Sequence, residues 1–172
     1  EKNIMVKIGE AYCNEKGKAL GGKAGNQTGK ELRISDWRNF GQEYVYRFRD
    51  KNKANLAAKR MAMICTSKFV GYDQDGEDRV SLAKELDKVN GIVGKLNTMC
   101  ETDCSALVSA IVQTVGYNVP DTVYSGNIGS ALLKTGAFEI YGTDNYTKSS
   151  AKLQVGDILV RVGHHVAMVV EV

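Results

Sequence analysis

The 172 residues are 43% hydrophobic and 25% charged, the range of one compact domain large enough for a sizeable core. Pro occurs once, at Pro120, against 18 Gly, which excludes collagen-like, Pro-rich and mucin-like chains and leaves little room for a long linker. The net charge of +3 is uneven: residues 1–60 hold 14 Lys/Arg against 7 Asp/Glu, so either an anionic partner or a solvated basic surface is expected in the N-terminal third.

The longest uncharged stretch, Ser105 to Pro120, is too short and too polar for a membrane span, which needs about 20 apolar residues. The chain starts at Glu1 rather than Met, and the run Asn3 to Ile8 is too short for a signal h-region, so the start is expected to have been trimmed.

Taken in order, the first fifty residues alternate short apolar or aromatic runs with Gly-rich turns: Ile4-Met5-Val6, then Gly17 and Gly21-Gly22, then Trp37 to Phe48. They predict extended segments and loops. Asn52 to Phe69, rich in Ala, Lys and Met with Leu56, Met63 and Ile64 at helical spacing, predicts a helix. A second helix is expected from Ser81 through Leu82, Leu86 and Val89, weakened at Gly91 and Gly94. Asp73-Gln74-Asp75-Gly76 superficially matches a calcium loop, but its register puts Gly71 and Leu82 at the first and twelfth ligand positions, which excludes an EF-hand.

The four cysteines, Cys13, Cys65, Cys100 and Cys104, are irregularly spaced in a chain large enough to fold without staples, so free thiols are expected ahead of a disulfide. Cys100 and Cys104 with His164 and His165 supply zinc-type ligands, but the pattern matches no standard closed site.

The segment Thr102 to Val112 carries the most chemistry. Ala106, Leu107, Ala110 and Ile111 share one side of a helix that Thr102 or Asp103 can cap, which puts Cys104 in the first turn. There the dipole is expected to lower the thiol pKa, and neighbouring N–H groups can stabilise an oxyanion, although a buried structural Cys is the competing reading. Gly156 to Val172 reads as an antiparallel hairpin turning at Gly163. Alternation puts His165, Ala167, Val169 and Glu171 on one face, with the small Ala167 leaving room for a helix N-terminus beside His165. His164 and His165 are the only histidines, so an imidazole base for Cys104 must be one of them.

Asp-Cys-Ser-Ala-Leu-Val at 103–108, Gly-Asp-Ile-Leu at 156–159 and His-Val-Ala-Met-Val-Val at 165–170 together resemble the NlpC-type papain-like peptidoglycan hydrolases. The segments Gly25-Asn26-Gln27-Thr28-Gly29-Lys30-Glu31, Gly71-Tyr72-Asp73-Gln74 and Leu153-Gln154-Val155-Gly156-Asp157 narrow the likeness to endolysins and cell-wall hydrolases of phages and prophages of Gram-positive bacteria. The resemblance implies an α+β papain-like fold, with the Cys-bearing helix packed on an antiparallel sheet. It further implies a cysteine peptidase or amidase that acts at the bacterial cell wall on peptidoglycan.

On this likeness Cys104 is the nucleophile and His165 the base, with His164 the alternative. The Cys104 and Ser105 N–H groups would form the oxyanion hole, and Asp103 would cap the helix or contact substrate. Tyr72, Asp73, Gln74 and Gln27, with Thr28, would line the groove or act only as turn formers. No cofactor, metal, nucleic acid or membrane insertion is implied, and oligomeric state stays open.

Such hydrolases commonly carry a third polar residue about a dozen positions after the base, which here falls beyond Val172. Glu171 is about 20 Å along the strand from His165, too far to orient its ring. Three alternatives follow: an orienting group from elsewhere in the chain, a backbone carbonyl, or an incomplete site with reduced activity. Residues 1–172 are accordingly expected to be a single catalytic domain lacking its last strand or strands. A catalytically inert wall-binding or phage structural module on the same fold is the competing function.

Overall fold

The computed structural model describes residues 5–172; Ile4 of the first predicted extended run lies outside them. Its centre is a six-stranded antiparallel sheet in the order β2-β1-β8-β7-β3-β6. The strands are β1 (Lys7–Ala11), β2 (Leu32–Asp36), β3 (Tyr44–Phe48), β6 (Phe138–Tyr141), β7 (Ile158–Arg161) and β8 (His165–Glu171). Two further strands, β4 (Val70–Tyr72) and β5 (Cys100–Thr102), pair in parallel beside it. The helices are α1 (Lys51–Cys65), α2 (Ser81–Lys88), α3 (Cys104–Thr114), α4 (Ile128–Lys134) and α5 (Asp144–Thr147). This is an α+β domain with an antiparallel sheet.

Local sequence accounts for the helix limits. Asp50 caps α1 by accepting from the Asn52 and Lys53 N–H groups. The helix stops at Cys65 rather than continuing to Phe69, because the chain turns through Ser67 and extends into β4. Helix α2 starts at Ser81 as its sequence predicts and ends before Asn90 and Gly91, which take positive φ values of 55° and 73° that L side chains other than Asn and Asp avoid.

The sheet divides the core. Val166 and Met168 of β8 join the larger cluster with Met61 and Ile64 of α1 and Leu107, Val108 and Ile111 of α3. Ala167 and Val169 point the other way, into a smaller cluster with Ile8, Val45 and Leu159, flanked by Trp37 and Phe40. The predicted alternation along β8 therefore holds, but the helix lies on the opposite face from the one expected: α3 packs over Val166 and Met168, not over Ala167. Gly9 explains the close approach of α1 to β1, since a Cβ there would stand 2.7 Å from Met61 Cγ.

Candidate functional site

Asp103 is the N-cap of α3, its carboxylate accepting from the Ala106 N–H at 2.9 Å. Arg79 fixes that cap, donating from Nε at 2.6 Å and from Nη2 at 3.2 Å, and its Nη2 also reaches Ser105 Oγ at 3.1 Å. The same guanidinium holds the Val123 carbonyl at 2.6 Å. The Asp103 carboxylate and the Ser105 hydroxyl are thus turned inward to hold the start of α3, so that Asp103 takes the capping role of its two expected ones.

Cys104 is 8% exposed, and the four cysteines are all free thiols. Burial, then the neighbouring Asp103 carboxylate, pushes its thiol up to about 11, while hydrogen bonds from the Val166 and Ser105 N–H groups and the Arg79 charge pull the other way. The thiol, expected to be lowered at a helix start, is instead raised, because desolvation and the Asp103 charge outweigh the neighbouring N–H groups and Arg79. Cys65 and Cys100, deeper in apolar surroundings, are pushed up to about 12 by burial.

The Val166 contact follows from the sheet. Val169 exchanges backbone hydrogen bonds with the Gly156–Asp157 segment, so odd-numbered β8 residues turn their backbone toward β7, and Met168 and Val166 turn theirs toward β1. The β1–β8 ladder ends at Gly9↔Met168, while β1 continues with β2 to Ala11↔Leu32. Beyond that end the Val166 N–H is near enough to bear on the thiol that α3 brings in, which sets Cys104 toward the peptide that follows His165.

His165 opens β8, and His164, exposed in the turn before it, is not drawn into the site. The His165 ring stands edge-on to Phe40, with centroids 5.0 Å apart, and its Nε2 lies 2.8 Å from Glu10 Oε1. Glu10 is fully buried on β1. It accepts from both Arg38 terminal nitrogens at 2.7 Å and from Ser35 Oγ at 3.1 Å. Burial alone would raise its pKa, but the hydrogen bonds from Arg38 and His165 outweigh it and hold the carboxyl well below the usual carboxylate range. An ionised carboxylate only accepts, so Nε2 carries a proton, and a neutral ring then has its lone pair on Nδ1.

Glu10 is the group that sequence reasoning missed. Of the alternatives weighed for the absent third residue, the structure presents the first, a carboxylate from elsewhere in the chain. A signal was available: Ile8 and Glu10 share one face of β1, and a carboxylate beside an apolar neighbour on a buried strand requires a partner.

Tyr72 ends β4 close enough to Cys104 for the thiol to bear on its hydroxyl, which burial chiefly raises above the ordinary tyrosine value. Gln74 donates to that hydroxyl at 2.8 Å. Asp73 is buried and accepts from the Gly22 N–H at 3.0 Å and the Asp75 N–H at 2.9 Å, tying the 12–31 loop to the end of β4. Burial, then Asp73 and Asp78, pushes nearby Glu101 up to about 7.

Gln27 is not brought into the site. Its side chain donates back to the Ala24 and Gly25 carbonyls, and its N–H, with the Thr28 N–H and hydroxyl, is gathered by the fully buried Glu31. The Gly25–Glu31 motif is a loop wrapped on one carboxylate. Gly22 and Gly71 let that loop lie on β4: a Cβ on Gly22 would sit 2.0 Å from the Tyr72 carbonyl oxygen, and one on Gly71 2.4 Å from the Gly25 oxygen.

Together these elements define an α+β domain with a thiol at a helix start, against the peptide that follows a histidine anchored on a buried carboxylate. A family model described as an endolysin-like domain matches residues 8–172, and the chain belongs to that family. No curated protein and no solved structure matches. Membership points to a role at the cell wall, with peptidoglycan a fitting substrate. Among the described residues no helix is long and apolar enough to cross a membrane.

Proposed function

We propose that this domain is a peptidoglycan hydrolase of the NlpC-type papain-like class, acting as a single catalytic domain. It would cleave an amide bond as an N-acetylmuramoyl-L-alanine amidase or as a stem or cross-bridge endopeptidase. The observation that carries this reading is the placement of Cys104 against the peptide following His165, whose Nε2 is fixed by ionised Glu10. In this reading Nδ1 of His165 takes the thiol proton as Sγ attacks the amide carbonyl, and the Cys104 and Ser105 N–H groups receive the oxyanion. In this reading the Tyr72 hydroxyl adds a donor. The tetrahedral intermediate collapses to a thioester as the imidazolium protonates the leaving amine. Water, deprotonated by the same ring, then releases the acid and restores the thiol.

Glu10 has two tasks in this cycle: it fixes the tautomer and stabilises the imidazolium. A thiol with a pKa near 11 fits proton transfer during substrate attack rather than a standing ion pair. The basic N-terminal third suits a polyanionic wall.

Digestion of purified peptidoglycan by wild type and Cys104→Ala, with mass analysis of released fragments, tests the proposal and names the bond. Identical fragment sets from the two proteins would overturn it. The competing reading, an inert wall-binding module with a structural thiol, draws support from the burial of Cys104; it predicts wall binding with no fragments from either protein.

A further inference from the structure

Asp73, Asp78 and Glu101 converge where β4 and β5 end and the turn before α2 passes, with one carboxylate oxygen from each lying within 4.8 Å of the others. Among the described residues no Lys or Arg side chain pairs with any of the three within 4.0 Å; Arg79, next in sequence to Asp78, is committed to Asp103. Glu101 is 8% exposed and its Oε2 has no hydrogen-bond partner. Its backbone is fully occupied instead, the N–H donating to Ser81 Oγ at 2.8 Å and the carbonyl accepting from the same hydroxyl at 3.1 Å. Asp73 spends only two of its acceptor positions, on the Gly22 and Asp75 N–H groups. Asp78 is exposed and opens the cluster to solvent. A buried carboxylate is normally paired with a cation or bound to a metal, and among the described residues no cation pairs with Glu101 and its Oε2 has no partner.

From this arrangement we infer that Asp73, Asp78 and Glu101 form a binding site for one divalent cation of the oxygen-preferring class, with calcium the favoured ion. Oxygens no more than 4.8 Å apart can share one ion at the roughly 2.4 Å bonds of calcium. Three carboxylates from separate elements with one open side also suit the irregular, partly hydrated shell of calcium. The ion would clamp the end of β4 to the end of β5, where the Asp73 N–H already donates to the Thr102 carbonyl at 3.0 Å. That clamp lies one residue from Tyr72 and two from Asp103, so it would stiffen both supports of the Cys104 helix start. The site does not depend on the thiol chemistry, and its test reads stability first.

The protein is stripped with EDTA, dialysed and melted with increasing CaCl2, and in parallel with MgCl2 and with NaCl of matched ionic strength. Calcium is expected to raise Tm by about 5–10 °C at 100-fold excess over its Kd, with one-site calorimetric binding, and magnesium to do markedly less. Asp78→Asn, an exposed change that leaves the fold intact, is expected to weaken calcium binding at least ten-fold, and Glu101→Gln to abolish the Tm response. No calcium heat and no calcium-specific Tm rise in the wild type would overturn the site. So would a Glu101→Gln protein that is more stable than the wild type while the wild type ignores calcium, since the cluster would then be a protonated carboxyl pair.

Discussion

Replacing Glu10 by Gln removes one charge and little volume from a buried group held by four hydrogen bonds. The carboxylate accepts two bonds of 2.7 Å from Arg38, one of 3.1 Å from Ser35 and one of 2.8 Å from His165. An amide turns one of those acceptors into a donor facing other donors. Breaking a buried ion pair costs about 3–5 kcal/mol; because the Arg38 side chain is 36% exposed and can regain water, about 2–4 kcal/mol is the better figure. For a domain of this size that lowers Tm by about 5–15 °C.

The sign of the pH dependence follows from the depressed carboxyl. Its contribution is complete above the unfolded carboxylate value of about 4.3 and is lost as pH falls from there toward the lower folded value. The Tm gap between wild type and Glu10→Gln is therefore full at pH 5–7 and closes as pH falls below about 4. Calorimetric melts from pH 3 to 7 measure it directly. A variant melting within 2 °C of wild type at pH 7, or a gap unchanged down to pH 3, refutes the reasoning. If the proposed mechanism holds, turnover at pH 7 also falls by about 10²–10⁴-fold, as loss of a ring-orienting carboxylate does elsewhere.

The neutral thiol makes a second prediction: iodoacetamide labelling of Cys104 should rise about ten-fold per pH unit from pH 7 toward its pKa near 11, whereas a rate flat between pH 6 and 8 would reveal a preformed thiolate. His165→Ala should lower peptidoglycan cleavage at least 10³-fold while His164→Ala leaves it within two-fold; equal losses would show that the exposed ring participates. Gly22→Ala should cost about 1–3 kcal/mol and lower Tm by about 3–10 °C, since its Cβ would meet the Tyr72 carbonyl, and an unchanged melt would mean that the loop does not rest on β4.

Sequence was most informative where one local pattern decides the structure. Ser81, the Ala106/Leu107/Ala110/Ile111 face and the turn at Gly163 fixed α2, α3 and the last hairpin close to their observed limits. Those elements brought Cys104 and His165 into view. What escaped was long-range. Nothing in Lys7–Ala11 says that this strand pairs with β8, so Glu10 could not be matched to a histidine 155 residues away. The side of the sheet that α3 covers was misjudged for a related reason: both faces of β8 are apolar, and Val166 and Met168 are as suited to a helix as Ala167. Gln27 and Asp103 were recognised as polar groups in informative motifs, but their partners, the Ala24 and Gly25 carbonyls and Arg79, became evident only in three dimensions.

The pairing of Glu10 with His165 also bears on when the chain becomes chemically competent. As a ribosome releases the polypeptide, β1 and α3 emerge well before β8, which must then insert between β1 and β7 to complete the sheet. Until it does, the histidine is absent, the carboxylate lacks its ring and the thiol lacks the Val166 N–H. On the proposed function, nascent or protease-clipped chains would therefore carry no partial lytic capacity.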